Sequence, residues 1–268
     1  MATWSKAPDT PFGTVAQRIL LDSDPLVRVV AQVRFSPVLS IREPGFIAPF
    51  QEAIRVDYPL VRREQQQQVA LGAQGALAMD DSVLWRFSDV GSNWQVTLSD
   101  SFVSLDCGDY TERADFMGRL SQALAAVGDY VRPVLAHSVG VRYVDRLADT
   151  AKLEQLRDFI RPEMLGLSSA GLSGGQAATE MTHAEFAVGR VSLLGRWGYL
   201  PPGATHDPSI EPVDGPSWIL DLDAYTSETT PFDAVSCADD AEQHASTVYG
   251  FFRWAVSDEF LTAHGATL

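Results

Sequence analysis

The chain has 268 residues, 46% hydrophobic and 21% charged. That composition excludes a disordered tail, a collagen-like fibre and a disulfide mini-scaffold, and it supplies enough apolar side chains for a sizeable core. Lys+Arg 20 against Asp+Glu 35 gives a formal net charge of -15, which disfavours a nucleic-acid ligand, because phosphate needs clustered Lys and Arg.

The charge is unevenly spread. Residues 1–63 carry 8 basic and 6 acidic side chains, whereas residues 200–268 set Arg253 against 12 acids. The acidic end fits a solvated surface or a patch that steers a basic protein partner. Cys107 and Cys237 are too few for a disulfide framework. No apolar run approaches the ~20 residues of a spanning helix. The opening MATWSKAPDTPFG lacks the features of a signal peptide. A cytoplasmic protein with reduced thiols, no membrane association and no cofactor is the expectation.

Residues 1–24 read as a polar lead-in. Val27, Val29, Ala31, Val33 and Phe35 alternate with polar residues, which predicts a half-buried strand. Phe46, Ile47, Phe50 and Ile54 predict a short helix over 45–56, with Pro49 in its first turn. Residues 61–71 read as an edge or solvent-facing strand, and Ser82–Phe87 as a strand followed by a turn at Val90–Asn93. Trp94, Val96 and Leu98 then alternate. Near Asp100-Ser101 the apolar parity switches to Val103 and Leu105, which predicts a bulge or bend within one strand.

A helix follows, with Thr111 as N-cap and Phe116, Met117, Leu120, Leu124, Val127 and Val131 in one stripe. Residues 134–147 form a strand, with Arg142 and Arg146 on its polar face. Lys152–Ile160 reads as a short helix and 165–178 as a Gly/Ser/Ala loop. A hairpin spans 180–200 around Gly189-Arg190, a long loop spans 201–216, and Ser217–Ala224 is a strand. The chain closes with a helix over about 238–263, apolar on more than one face. The order predicts α+β: a mainly antiparallel sheet with helices packed on one face, built from strand-helix-strand-strand units used about twice. The halves fall at 25–164 and 179–268, expected to form one compact domain.

Catalytic motifs are sparse. Gly171-Leu172-Ser173-Gly174-Gly175 matches G-x-S-x-G, but its flanks read as loop instead of the strand and helix of a nucleophile elbow. His183-Ala184-Glu185 has no P-C-x-x-C after it. The cysteines and histidines show no metal-ligand spacing. His137 on its strand reads as a satisfied core residue. Asp221 and Asp223 share a strand face, and Arg142 and Arg146 either form an internal ion pair with a sheet neighbour or offer a guanidinium fork to a carboxylate or phosphate. Arg142, Asp145, Arg146, Asp221 and Asp223 are therefore the candidate ligand-binding residues. Phe251, Trp254, Asp258 and Glu259 on the over-wide final helix are the candidate partner-binding residues, for a protein partner or a second copy of the chain.

Trp94, Val96, Leu98, Phe102, Ser104, Leu105, Tyr110, Arg113 and Phe116 follow a W-x-V-x-L…F-x-S-L…Y…R-x-x-F pattern. Gly140, Arg142, Tyr143, Arg146 and Leu147 follow G-x-R-Y-x-N-R-I/L, with Asp145 where the pattern usually has Asn. Together they resemble a sporadically distributed prokaryotic protein family without an assigned activity. The likeness covers about residues 25–262. Its patchy distribution implies accessory or defence-type loci, such as toxin–antitoxin or anti-phage systems. The functional expectation is a non-catalytic protein-binding accessory module. The alternative is a small-ligand binder or enzyme with its site near Arg142/Arg146 and Asp221/Asp223.

Overall fold

Period-two alternation recurs along the chain, and the segments that carry it pair as antiparallel strands. A computed structural model describes residues 10–12, 18–23, 25–71, 77–169 and 178–267. Most of the 1–24 lead-in and the whole Gly171–Gly175 match lie outside the described residues. The described residues contain ten strands and six α-helices, which makes the fold α+β with an antiparallel sheet. The chain divides into two compact units that interleave in sequence. One unit takes residues 1–28, 142–225 and 243–268; the other takes 29–141 and 226–242.

In the second of these units, β2 (Leu60–Leu71) is the edge strand expected over 61–71. It pairs with β3 (Leu77–Ser88), β3 with β4 (Trp94–Ser99), and β4 with β5 (Phe102–Cys107). Next comes β1 (Leu26–Phe35), then the opening of β6 (Leu135–Leu147), which also pairs with the two-residue β10 (Thr230–Pro231).

The parity switch at Asp100-Ser101 is a tight hairpin instead of a bulge. Leu98 faces Val103 and Val96 faces Leu105, so an odd position on one strand opposes an even one on the other. The turn is held from outside the hairpin. The Asp100 carboxylate accepts from Arg42 Nε and Nη2 at 3.1 and 2.7 Å, and its carbonyl accepts the Val38 N–H at 2.7 Å.

Helix α1 (Pro44–Ile54) begins at Pro44, which puts Pro49 inside the helix and not in its first turn. Its Phe50 lies 5.5 Å from Phe87, ring to ring. Helix α2 (Arg113–Ala126) buries Phe116, Leu120 and Leu124 at successive i, i+4 steps. Its N-cap is Glu112 and not Thr111, and it runs on into a π turn, Val127–Val131. The motif residues Trp94 and Phe116 pack at 5.9 Å, and the Arg119 guanidinium lies 4.5 Å over the Trp94 ring. In this unit the motif specifies packing.

In the other unit the end of β6 is followed across the sheet by β9 (Ser217–Thr226), β8 (Val191–Leu200) and β7 (Glu180–Val188), with β7 at the edge. One face carries Leu193, Trp197, Leu220 and Leu222, all buried, against Val248 and Phe251 of α5 (Ala234–Ala255). The expected helix over Lys152–Ile160 is two short ones, α3 (Thr150–Glu154) and α4 (Leu156–Phe159). The expected closing helix also breaks, into α5 and α6 (Asp258–Ala263). The closing helix breaks where Val256 leaves α5 to form an antiparallel bridge with Ile160, the residue after α4, and Ser257 then caps α6 by accepting the Phe260 N–H at 3.0 Å.

Gly198 sits at φ +150, and an added Cβ would lie 1.9 Å from the Glu180 carbonyl oxygen across the β7–β8 pair. A side chain there strains the backbone and pushes β7 off. Gly198→Ala is expected to lower the unfolding free energy by about 2–3 kcal/mol in chemical denaturation. Gly118→Ala, at an uncrowded position inside α2, should leave it unchanged or raise it by up to about 1 kcal/mol.

Candidate functional site

The polar face of β9 is where the charged residues converge. Asp221 and Asp223 are two residues apart and so share that face. Arg196 is the register partner of Asp221 on β8. Asp221 is fully buried, and a buried carboxylate must be paired or neutral. It is paired three times over. Arg142 donates Nε and Nη2 to its two oxygens at 2.7 and 2.8 Å, a bidentate fork. Arg196 Nε stands 3.1 Å from Oδ2, and His206 Nε2 donates to Oδ2 at 2.8 Å. Arg142 Nη2 reaches a second carboxylate, Asp207, at 2.7 Å.

The electrostatics follow. Burial works against the charge on Asp221, but the hydrogen bonds from His206 and Arg142 outweigh it and hold its carboxyl below the usual range. Asp207 is held low in the same sense: the Ser209 backbone and side chain and Arg142 outweigh its burial. Burial also works to strip the proton from Arg142, and Asp221 and Asp207 more than reverse that. Two arginines and two carboxylates thus balance. Asp223 is a third carboxylate in the same region. Burial first, then the charge of Asp221, push it up to about 6.

The sequence-predicted residues are therefore partly gathered. Arg142 and Asp221 meet directly, with Asp223 beside them. Asp145 and Arg146 lie further along β6, both half-buried. Burial lowers the Arg146 pKa, and its Nε has no hydrogen-bond partner among the described residues. Of the two readings of Arg142, the internal ion pair with a sheet neighbour is the one present: Arg142 is bonded to the chain's own Asp221 and Asp207. Three members of the cluster are new: Arg196, His206 and Asp207. Arg196 had a signal, a charge inside the apolar run VSLLGRWGYL. His206 and Asp207 come from the 201–216 loop and carry none.

The candidate partner-binding residues are largely built into the unit. Phe251 is 1% exposed, with its ring 5.4 to 6.1 Å from those of Phe186, Trp197 and Trp254. This is a core position, and it explains why the helix is apolar beyond one face. Asp258 is buried in the first turn of α6, and Glu259 is half-buried. Trp254 carries the Arg161 guanidinium at 5.0 Å from its ring.

His137 has two partners, Ser36 Oγ at 3.2 Å on Nε2 and Thr229 Oγ1 at 3.1 Å on Nδ1. Both thiols are buried, and burial pushes Cys107 up to about 12 and Cys237 to about 11, far from thiolate chemistry at neutral pH. Among the described residues no three His, Cys, Asp or Glu side chains are grouped to hold a metal ion, and no helix is long and apolar enough to cross a membrane. No family model matches the chain, and no curated protein matches it either.

Removing Asp221 strands two guanidiniums. Asp221→Ala is expected to cost about 3–5 kcal/mol of stability, read by urea titration at pH 7. The pH dependence has two parts of opposite sign. The depressed carboxyls of Asp221 and Asp207 stabilise the fold above their unfolded pKa of ~4, and that contribution is lost as pH falls through their folded values. Asp223, raised to about 6, costs nothing below ~4, and its cost grows as pH rises to about 6 and stays above it. Asp223→Asn should therefore stabilise the protein by about 1–2 kcal/mol at pH 8 and not at pH 4. Equal effects at the two pH values would refute the assignment.

Proposed function

We propose that the chain is a non-catalytic protein-binding module whose acidic surface receives a basic protein partner. The observation that carries this reading is the self-neutralised cluster. Arg142, the cation best placed to recognise an anionic substrate, is bonded to Asp221 and Asp207, so the cluster serves as a brace within the fold. The buried thiols, with pKa values pushed up, point the same way.

What the molecule does present is acid. Asp109, Glu112, Asp239 and Glu242 are exposed. The last pairs with Arg113 at 3.3 Å, so Glu242 on α5 and Glu112 beside Arg113 at the start of α2 are neighbours within the unit of residues 29–141 and 226–242. Such a grouping raises the local concentration of a basic surface and loses strength as salt screens it. The likeness to a patchily distributed prokaryotic family agrees with an accessory role, and a defence-type locus would supply such a partner.

The test is native mass spectrometry of the chain purified from its own host, at low and then high salt. A stoichiometric protein adduct is expected at low salt and not at high salt. The purified adduct protein should then bind Glu112→Lys/Asp239→Lys at least about tenfold more weakly than the parent chain. A bare chain at low salt, or an adduct indifferent to salt and to charge reversal, overturns the proposal.

A further inference from the structure

Strand β7 ends its sheet, and among the described residues it pairs with β8 alone. The pairing runs unbroken from Glu180 opposite Tyr199 to Val188 opposite Val191, so no bulge bends the edge away. The strand, EMTHAEFAV, also holds neither the Pro nor the Lys that commonly protects an edge. Its burial alternates residue by residue, with Met181, His183, Glu185 and Ala187 exposed on one face.

The turn after β7 fixes which backbone groups point outward. Gly189-Arg190 is a two-residue connection between Val188 and Val191, with Gly189 at φ +63, as a tight hairpin turn requires. In such a hairpin the residues flanking the turn exchange both hydrogen bonds, and hydrogen-bonded pairs recur at every second residue. Val188, Phe186, Ala184, Thr182 and Glu180 therefore turn their N–H and C=O groups toward β8. Met181, His183, Glu185 and Ala187 turn theirs away from it. These outward groups form a template for a further antiparallel strand.

We infer that β7 pairs with β7 of a second copy of the chain, antiparallel, about a two-fold axis at Ala184. In that register Glu180 faces the second copy's Val188, Met181 its Ala187, Thr182 its Phe186 and His183 its Glu185. The strands overlap over their full length, and every outward N–H and C=O meets another. The register also sets the His183 imidazole opposite a carboxylate, twice by symmetry. Tyr225 holds that carboxylate in place, its hydroxyl donating to Glu185 Oε1 at 2.8 Å. On the other face large meets small: Phe186 opposes Thr182, and Ala184 opposes itself. Moving the axis by one residue either way sets His183 against His183 or Glu185 against Glu185, and leaves outward groups unmet. Charge, size and backbone pairing thus select the same arrangement of two copies. The inference is independent of the acidic-surface reading, since it uses the unit of residues 142–225 and none of the acidic grouping. It also places self-association at the sheet edge and not on the closing helix, whose Phe251 is buried in the core.

The test begins with sedimentation velocity of the full chain over about a hundredfold range of concentration, where a reversible dimer is expected. Ala184→Cys opposes itself in a non-hydrogen-bonded pair, where a Cα separation of ~4.5 Å suits a disulfide. Mild oxidation should trap it as a covalent dimer on a non-reducing gel. Ala187→Cys, which lies ~20 Å from its own equivalent in this register, should not be trapped. The parent chain is the blank, because Cys107 and Cys237 are buried. His183→Glu sets acid against acid, and Glu185→Lys sets a cation against His183, so each variant alone should dimerise at least about tenfold more weakly than the parent. An equimolar mixture of the two restores opposite charges at both contacts and should form a heterodimer as tight as the parent dimer. That rescue separates lost pairing from lost folding. A monomer at every concentration overturns the inference. So does a dimer indifferent to both charge changes, a mixture that fails to associate, or trapping at Ala187→Cys as efficient as at Ala184→Cys.

Discussion

A carboxylate with no exposure to water organises the unit built from residues 142–225. Asp221 lies in the middle of β9, and an ion of that kind is tolerable only when its lone pairs are met by charged donors. The chain supplies them from three places: Arg142 on β6, Arg196 on β8, and His206 from the loop after β8. The loop is thereby tied to the sheet, and the side chains of three strands are fixed to one another. Register is set as well. A one-residue slip of β9 would turn Asp221 into the apolar face and bring Leu220 or Leu222 against the guanidiniums.

The same brace accounts for what the site lacks. A guanidinium that recognises a substrate must be free of stronger internal partners, and Arg142 is bound by two carboxylates at 2.7 to 2.8 Å. The energy of that pairing is committed to holding the fold, and a buried pair is weak evidence for anything beyond specificity of structure. Asp223 is the residue left over. Burial pushes its carboxyl up to about 6, and Asp221 adds to the rise while Arg142 and Arg196 oppose it.

Much of this was legible in the sequence. Period-two alternation located the strands, the i, i+4 stripe located α2, and the shared parity of Asp221 and Asp223 marked their face. The failures have physical causes. The hairpin at Asp100-Ser101 looks like a bulge because two strands joined by a short turn and one kinked strand give the same parity switch. What distinguishes them is the grip of Arg42 and Val38 on Asp100, which comes from far along the chain. The break in the closing helix falls at the bridge between Ile160 and Val256, a tertiary contact that no local window contains. Ser257-Asp258-Glu259 did carry the signature of a new helix start, a capping hydroxyl followed by acids. His206 and Asp207 sit in a loop, where periodicity has nothing to say.

The opposite face of the same strands follows a different logic, and glycine governs it. Gly195 leaves room for the benzene edge of Trp197, and Gly198 lets β7 come close where any side chain would meet the Glu180 carbonyl. The first seats the indole on the sheet, and the second keeps the edge strand paired up to its end. With a larger residue at 195 the ring would have to rotate, and with one at 198 the edge strand would be pushed off at Glu180. The seating of Trp197 and of the edge strand is therefore a product of strand geometry, set two positions before Trp197 and one after it.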